Sequence, residues 1–557
     1  MEMNQSILIR KIDLIIDKNK VTVHRFVLAI YCVLHLVMTV FHEPWYDEAE
    51  AWQIARCASL RDILLTIPHY EGHPPLWHLI LAIPAKMGMP YELSLSMVSL
   101  LFSAGAVALF LKYAPFNESV KAFVPFTYFV FYQYSAVSRP YCMMMLAMVL
   151  VAVTWQARNI KPIPFVASMA FLCLTSSYGI IIAGGISIVW LFEIIKVRGT
   201  GFFKDKRTIT LFVLLILALL LITEVMPYSD TSATTGREVK NELGTLLVRL
   251  LYTFFMMIPE SSLTKVMRGD WSIRGTSSLD LAACVSAVLL GLLIWAIIVF
   301  YGKHKKTAMW FVVPYSLFAV FASIVYFYGH HIGIGMLIFM FWAWITVQSR
   351  ETVPEGDVKR VADAIAKILL VLALIISCGW TVGSFILEIK YAYYPTRDIA
   401  AFFKNEGLTN YKVMTSWRED YNDNDEMKLL DTDSIGAAVA LYPYFEHNFI
   451  YNAHDGRDDL MYDTHKNASD EENKANLEKW RKEGYPDVLF NSPNLSTAFP
   501  DSSNEPDYVL VYEKPYSIVW KGSVNLYAST VYVTKELQER LDLPEVEKHL
   551  EYYIHMR

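Results

Sequence analysis

Residues 26–52 read FVLAIYCVLHLVMTVFHEPWYDEAEAW. A nearly continuous apolar run, long enough to cross a bilayer, ends at a proline. Directly after it come two adjacent carboxylates, Asp47 and Glu48, and a third at Glu50, framed by Trp45 and Trp52. The first half predicts a transmembrane helix over 25–41. The second predicts a helix opening near Pro44, which suits a first helical turn, with Asp47 and Glu50 on one face at i, i+3 and Glu48 pointing elsewhere. Acids in a first turn complement the helix dipole without doing chemistry. An acidic cluster this dense at the end of a span is also a candidate reactive site.

Composition places the whole chain in the membrane. Of 557 residues, 54% are hydrophobic and 14% aromatic, and the mean hydropathy is +0.31, above what a soluble core needs. A net charge of −6 offers no basic surface, which argues against nucleic acid as a partner. Cys32, Cys57, Cys142, Cys173, Cys284 and Cys378 are isolated, with no paired spacing, so neither a disulfide framework nor a zinc site is indicated. The basic stretch holding Arg10, Lys11, Lys18 and Lys20 precedes the first run without a small-residue cleavage site, as in a retained first span.

Apolar runs near 25–41, 93–112, 119–137, 140–157, 162–178, 180–196, 208–228, 279–301, 307–328, 331–348 and 364–387 predict about eleven transmembrane helices. With the N-terminus inside, Lys112, Lys121, Arg158, Lys161, the KVRGTGFFKDKR stretch, the GKHKK stretch, Lys359 and Arg360 all fall on the cytoplasmic side, as the positive-inside rule asks. Arg237, Lys240, Arg249, Lys265, Arg268 and Arg274 fall in the opposite loop 229–278, whose length gives its charges little weight in that rule. The stretches 50–67, 74–88 and 245–259 are too short to span and read as helices lying in the interface. From about residue 388 strand-like runs (YKVMTSW, PDVLF, YVLVY, STVYV) alternate with helical patterns (SIGAAVALYPYF, NLEKWRKEG, KELQERL). The expected fold is therefore a polytopic α-helical membrane protein with a transmembrane module over 1–387, a first outer loop over 42–92, and a C-terminal extracytoplasmic α/β domain over 388–557.

This topology gathers unusual polar groups at one membrane face: WYDEAEAW and HYEGHPPLWH in the first outer loop, Ser138-Arg139-Pro140-Tyr141, the TSSYG turn, and Gly329-His330-His331. The two prolines after His73 predict an extended chain that displays Glu71 and His73 beside the first acids. Glu71, His73, His330 and His331 share that face and could hold a divalent metal or a phosphate. Arg139 at a span end fits an ordinary interfacial anchor as well as a ligand contact. Glu224 near the end of its span fits a solvated interfacial acid as well as an intramembrane functional acid. Asp420-x-Asn422-x-Asn424 begins like a calcium loop, but Asp425 stands where that loop needs glycine, so it reads as a solvated acidic loop. The Asn-x-Ser matches at Asn4, Asn117, Asn467 and Asn494 are no more than chance supplies at this length.

An Asp-Glu pair after the first span, a Glu-Gly-His-Pro-Pro-Leu-Trp element over 71–77 and an Arg-Pro-Tyr outer turn over 139–141 occur here in that order. The combination resembles the polyprenyl-phosphate-sugar-dependent glycosyltransferases of the GT-C superfamily, the family 39 kind that includes protein O-mannosyltransferases and lipid A aminoarabinose transferases. The resemblance is clear over 25–200, weaker to 390, and in the C-terminal domain one of position alone. It implies a cell-envelope enzyme in a bacterial cell membrane. Such an enzyme moves a hexose or pentose, with inversion, from a polyprenyl-phosphate donor to a hydroxyl on a glycan, lipid or protein acceptor at the outer face. Asp47 would be the base, with Glu48 beside it as the second catalytic carboxylate. One carboxylate suffices to take the acceptor proton, because a phosphate leaves as a stabilised anion and needs cations or oriented donors instead. Arg139, whose fork matches phosphate geometry, is the first candidate, with Tyr141 beside it. Glu50, Glu71, His73, Tyr178, His330 and His331 complete the expected substrate-binding set. Tyr178 lies where the family commonly carries a histidine, and Gly329 precedes His330 where the family often carries an arginine. A polytopic lipid or polysaccharide transporter is the rival reading. It expects ionisable groups at the midplane, whereas here they concentrate at span ends. A glycan-binding receptor is the third, and it needs far fewer spans.

Overall fold

The protein is described from a computed structural model over residues 19–231, 243–255, 257–261, 278–325, 327, 329–416, 432–453, 462, 466, 469–493, 495–496, 498–522 and 526–549. Arg10, Lys11, Lys18, Arg237, Lys240, Lys265, Arg268, Arg274, the stretch 420–425, Asn4, Asn467 and Asn494 lie outside these residues. So do the side chain of Cys284 and any reading that rests on it; Cys32, Cys57, Cys142, Cys173 and Cys378 take part in no disulfide among the described residues.

Each of the eleven apolar runs is helical, but they are not equal. Among the described residues seven helices are long and apolar enough to cross a membrane: Lys20–Phe41, Tyr91–Tyr113, Ser177–Lys204, Lys206–Val225, Val285–His304, Gly329–Gln348 and Asp357–Lys390. Three more, Tyr141–Trp155, Pro162–Cys173 and Met309–Ile324, are shorter. The run 119–137 is not one helix. It breaks into Glu118–Phe123, a 3-10 turn Val124–Phe126 holding Pro125, and a π-helix Tyr128–Ala136. Pro125 has no amide hydrogen for the ladder and its ring crowds the preceding turn, and the wider π winding continues from there. The π-helix is buried throughout, so its irregular backbone stays among protein groups and away from lipid.

Close packing among the helices depends on small residues, since lipid supplies no hydrophobic drive between spans. Ser177–Arg198 crosses Met309–Ile324 where a Cβ on Gly185 would come within 2.5 Å of Pro314 Cα. A Cβ on Gly333 would overlap the Phe129 ring and come within 2.5 Å of Tyr134 Oη, so glycine there admits the π-helix side chains.

The first loop folds as Tyr46–Cys57, Leu60–Leu65, Ile67–Glu71 and Leu76–Lys86. These short helices do not simply lie on an interface. Trp52, Ile54, Ile63, Ile67, Trp77 and Leu81 are buried in a core shared with Leu95, Met143, Tyr394 and Tyr516, where each aliphatic side chain removed from water contributes about 1.5–3 kcal/mol. The paired prolines do not hold the chain extended. Gly72 in the left-handed region ends one helix, and Pro75, at φ −72° and ψ −8°, starts the next.

The four strand-like runs become β1 (Val413–Thr415), β2 (Val488–Phe490), β3 (Tyr508–Ser517) and β4 (Leu526–Thr534) in one sheet of order β1-β2-β4-β3. β1 and β2 are parallel, while β4 pairs antiparallel with both neighbours. The helical patterns become Thr432–Leu441, Asp470–Glu483 and Lys535–Leu541. This α/β unit seats on the first loop. Ala440 belongs to the core around Ala49 and Trp52, while Ala437, Ala438 and Leu441 face the unit's own core. Arg397 clamps Glu92 through both carboxylate oxygens, at 2.9 and 2.6 Å. Beyond β3, Lys521 reaches the membrane helices: its amide donates to Tyr128 Oη at 3.0 Å and its Nζ to the Pro259 carbonyl at 3.0 Å.

Candidate active site

The helix that carries the acids starts where local chemistry dictates. Pro44 precedes the cap instead of occupying the first turn, Trp45 is the extended N-cap, and Glu48 Oε2 accepts the Trp45 amide at 2.9 Å. Alanines at 49, 51 and 55 continue the helix and let neighbours approach. This start aims the three acids differently. Asp47 is 32% exposed in its side chain. Glu50 is buried and accepts from Tyr46 Oη at 3.1 Å. Glu48 is fully buried.

Asp47 forms an ion pair with Arg139: guanidinium Nη2 donates to Oδ2. Arg139 stands in the short turn between the π-helix and Tyr141–Trp155, where Pro140, with its fixed φ, opens the new helix. The guanidinium lies 5.6 Å over the Tyr141 ring, close enough for a cation–π contribution. Tyr141 stacks on Tyr134 at 4.9 Å, and Tyr134 Oη donates to the His330 carbonyl at 2.7 Å. The proposed base and the proposed phosphate ligand, 92 residues apart in sequence, are therefore direct partners.

The other turns converge on the same point. The Tyr141 ring lies 5.6 Å from His330 and 6.0 Å from His331, and Tyr178 lies 4.8 Å from His331. Arg139 and His73 are within electrostatic reach of both histidines. Ser177 Oγ donates to the Gly72 carbonyl, joining the TSSYG turn to the Glu71–His73 loop. Tyr141, Tyr178, His73, His330 and His331 are thus brought together with Arg139, the partner of Asp47. Glu71 lies within electrostatic reach of His78, and Glu50 is buried against Tyr46.

Glu48 does not stand open beside Asp47. Its Oε1 accepts the Ser138 amide at 2.6 Å, and its Oε2 faces His42 Nε2 at 3.1 Å. With both oxygens engaged and the side chain fully buried, it ties the Asp47 helix to the Arg139 turn. Among the described residues no three His, Cys, Asp or Glu side chains are placed to hold a metal ion. Glu224 is half-buried, and its Oε2 has no hydrogen-bond partner among the described residues. His42, Glu388 and Tyr132 escape a reading from sequence. Nδ1 of His42 lies 3.0 Å from Glu388 Oε1, and Tyr132 Oη donates to the same oxygen. Their one signal in the sequence is a histidine and a glutamate each placed at the end of an apolar run.

No family model matches the chain, and no curated protein matches it significantly. Among solved structures it is similar to the arabinofuranosyltransferase AftD from Mycobacteria, at 14% identity and a TM-score of 0.31, over 70% of this chain and 29% of that one. The chain thus spans well under half of that enzyme's length, and a likeness of this extent fixes neither fold nor activity.

Proposed function

We propose that this protein is a membrane glycosyltransferase that moves a monosaccharide from a polyprenyl-phosphate donor to an acceptor hydroxyl at the outer face of the membrane. The observation that carries this reading is the Asp47–Arg139 ion pair, half-open to solvent at the point where four loops meet. In the proposed reaction the donor phosphate competes for the guanidinium, which binds phosphate oxygens as readily as a carboxylate. Asp47, released from its partner, accepts the proton of the acceptor hydroxyl. The acceptor oxygen bonds to the anomeric carbon from the side opposite the phosphate, so configuration inverts. The anomeric carbon–oxygen bond to phosphate breaks, and its electron pair leaves on the polyprenyl phosphate, held by Arg139 and the donors around it.

Eleven membrane crossings, with the N-terminus in the cytoplasm and the α/β unit outside, complete the proposal. Under it the α/β unit covers the first loop on the acceptor side. Purified protein incubated with a panel of radiolabelled polyprenyl-phosphate sugars tests it: one donor should be consumed. No consumption of any donor, with or without candidate acceptors, contradicts it.

A further inference from the structure

Glu48, His42 and Glu388 form a buried chain that joins the end of the first apolar helix, the first loop and the end of the last apolar helix. All three are at most 6% exposed. Each ring nitrogen of His42 faces a carboxylate oxygen, at 3.1 Å to Glu48 and 3.0 Å to Glu388. A neutral imidazole donates from one nitrogen only, and an imidazolium from both. With the ring charged, two carboxylates and one cation leave one net negative charge. The Trp45 and Ser138 amides on Glu48 and the Tyr132 hydroxyl on Glu388 then solvate that charge. Removing His42 would leave two buried carboxylates with no cation between them, which is far costlier than the intact chain.

We infer that His42 and Glu388 are positioning residues for the Asp47–Arg139 pair, acting by holding Glu48 as the carboxylate that fixes the Asp47 helix and the Arg139 turn against each other. This rests on the proposed roles of Asp47 and Arg139, one residue away from the two amide-anchored points, Glu48 and Ser138. Neither His42 nor Glu388 touches the reacting atoms. The groups facing His42 are Glu48, Glu388, the Tyr393 ring at 5.3 Å and the Arg397 guanidinium on its carbonyl at 3.4 Å, with His35 in electrostatic range. Burial by itself would lower the affinity of His42 for a proton, but Glu388 and Glu48 override it and hold the ring well above the ordinary histidine value. The clamp is therefore present below about pH 6.5 and is lost as pH rises through the raised value.

The test uses the full chain in lipid nanodiscs, with Glu388→Gln and, should that variant fold poorly, Tyr132→Phe. Glu388→Gln keeps size and an acceptor for Tyr132 but removes the charge that holds His42 protonated. Turnover at pH 6 should stay near wild type, while the alkaline fall of the rate profile moves to lower pH. At pH 8 the loss should be on the order of 10–100-fold, the cost of misplacing a reacting group by a fraction of an ångström to an ångström. Tyr132→Phe should shift the same limb less. A loss equal at all pH values, or none, overturns the inference. NMR titration of His42 gives a readout independent of transfer: it should remain charged past pH 6.5 in the wild type and titrate lower in Glu388→Gln. An ordinary titration in the wild type overturns the clamp even if the enzyme reading stands. A wild type that consumes no donor contradicts the enzyme reading while the titration still decides the clamp.

Discussion

Arg139 donates from its guanidinium to Asp47, across 92 residues of sequence, and the same guanidinium caps the Tyr141 ring at 5.6 Å. Partly exposed, at 17% for Arg139 and 32% for Asp47, the pair stands at the junction of four loops, and that placement calls for a chemical reason. Exchange of the carboxylate for a donor phosphate supplies one.

That exchange sets the expectation for Arg139 itself. Arg139→Ala should raise the KM for the lipid donor strongly, and Arg139→Lys should keep part of the affinity because the charge survives without the bidentate fork. Steady-state kinetics with varied donor checks it. Wild-type donor use in both variants would return Arg139 to an interfacial anchor.

Glu43 gives a pH-dependent expectation. Burial raises its carboxyl to about 7, with the Arg397 charge opposing and Asp398 and Glu92 adding. The protonated form is favoured in the folded state, so this contribution is full below the unfolded value near 4.5 and is lost as pH rises toward 7. Glu43→Gln should match the wild type in thermal stability near pH 4.5 and exceed it at pH 8, by about 3 kcal/mol at most. The amide oxygen can still accept the Arg397 backbone N–H, now at 2.9 Å. Equal stability of the two proteins at pH 8 would count against an ionised, buried Glu43.

Gly333 should tolerate no side chain. A Cβ there overlaps Phe129 and crowds Tyr134 Oη, the hydroxyl that holds the His330 carbonyl. Gly333→Ala should cost about 1–3 kcal/mol, as overpacking does, and lower turnover through displaced His330 and His331. Thermal unfolding beside a rate measurement checks both.

Much of the fold is legible in the sequence because hydropathy and length are local. Every apolar run is helical, 119–137 in three separate pieces, and YVLVY and STVYV lie in β3 and β4. The break at Pro125 has a visible cause in the proline itself, but the π winding that follows depends on packing. The site divides the same way. Asp47, Arg139 and the two histidines are chemically conspicuous at span ends, so their types flag them. The burial of Glu48 and its link through His42 to Glu388 depend on a contact spanning 346 residues. Neither periodicity nor spacing encodes that contact. The extended reading of Pro74 and Pro75 fails for a different reason: proline is as suited to the start of a helix as to an extended segment, and the core beneath Trp77 and Leu81 favours the helix.

The proposed topology has its own check. Cysteines placed near residues 71 and 450 should label from outside, and those near 200 and 305 from the cytoplasm alone. Positions 71 and 450 labelling from opposite sides would separate the first loop from the α/β unit that packs on it.

The most direct measurement is the rate of donor consumption by Asp47→Asn, taken with its thermal stability on the same purified sample. Asparagine keeps the size and an acceptor for Arg139 but cannot take a proton. Turnover should fall by roughly the 10²–10⁴-fold that general-base catalysis contributes, with donor binding retained and stability changed by no more than about 1 kcal/mol. An Asp47→Asn protein that folds and consumes donor at the wild-type rate would contradict the account.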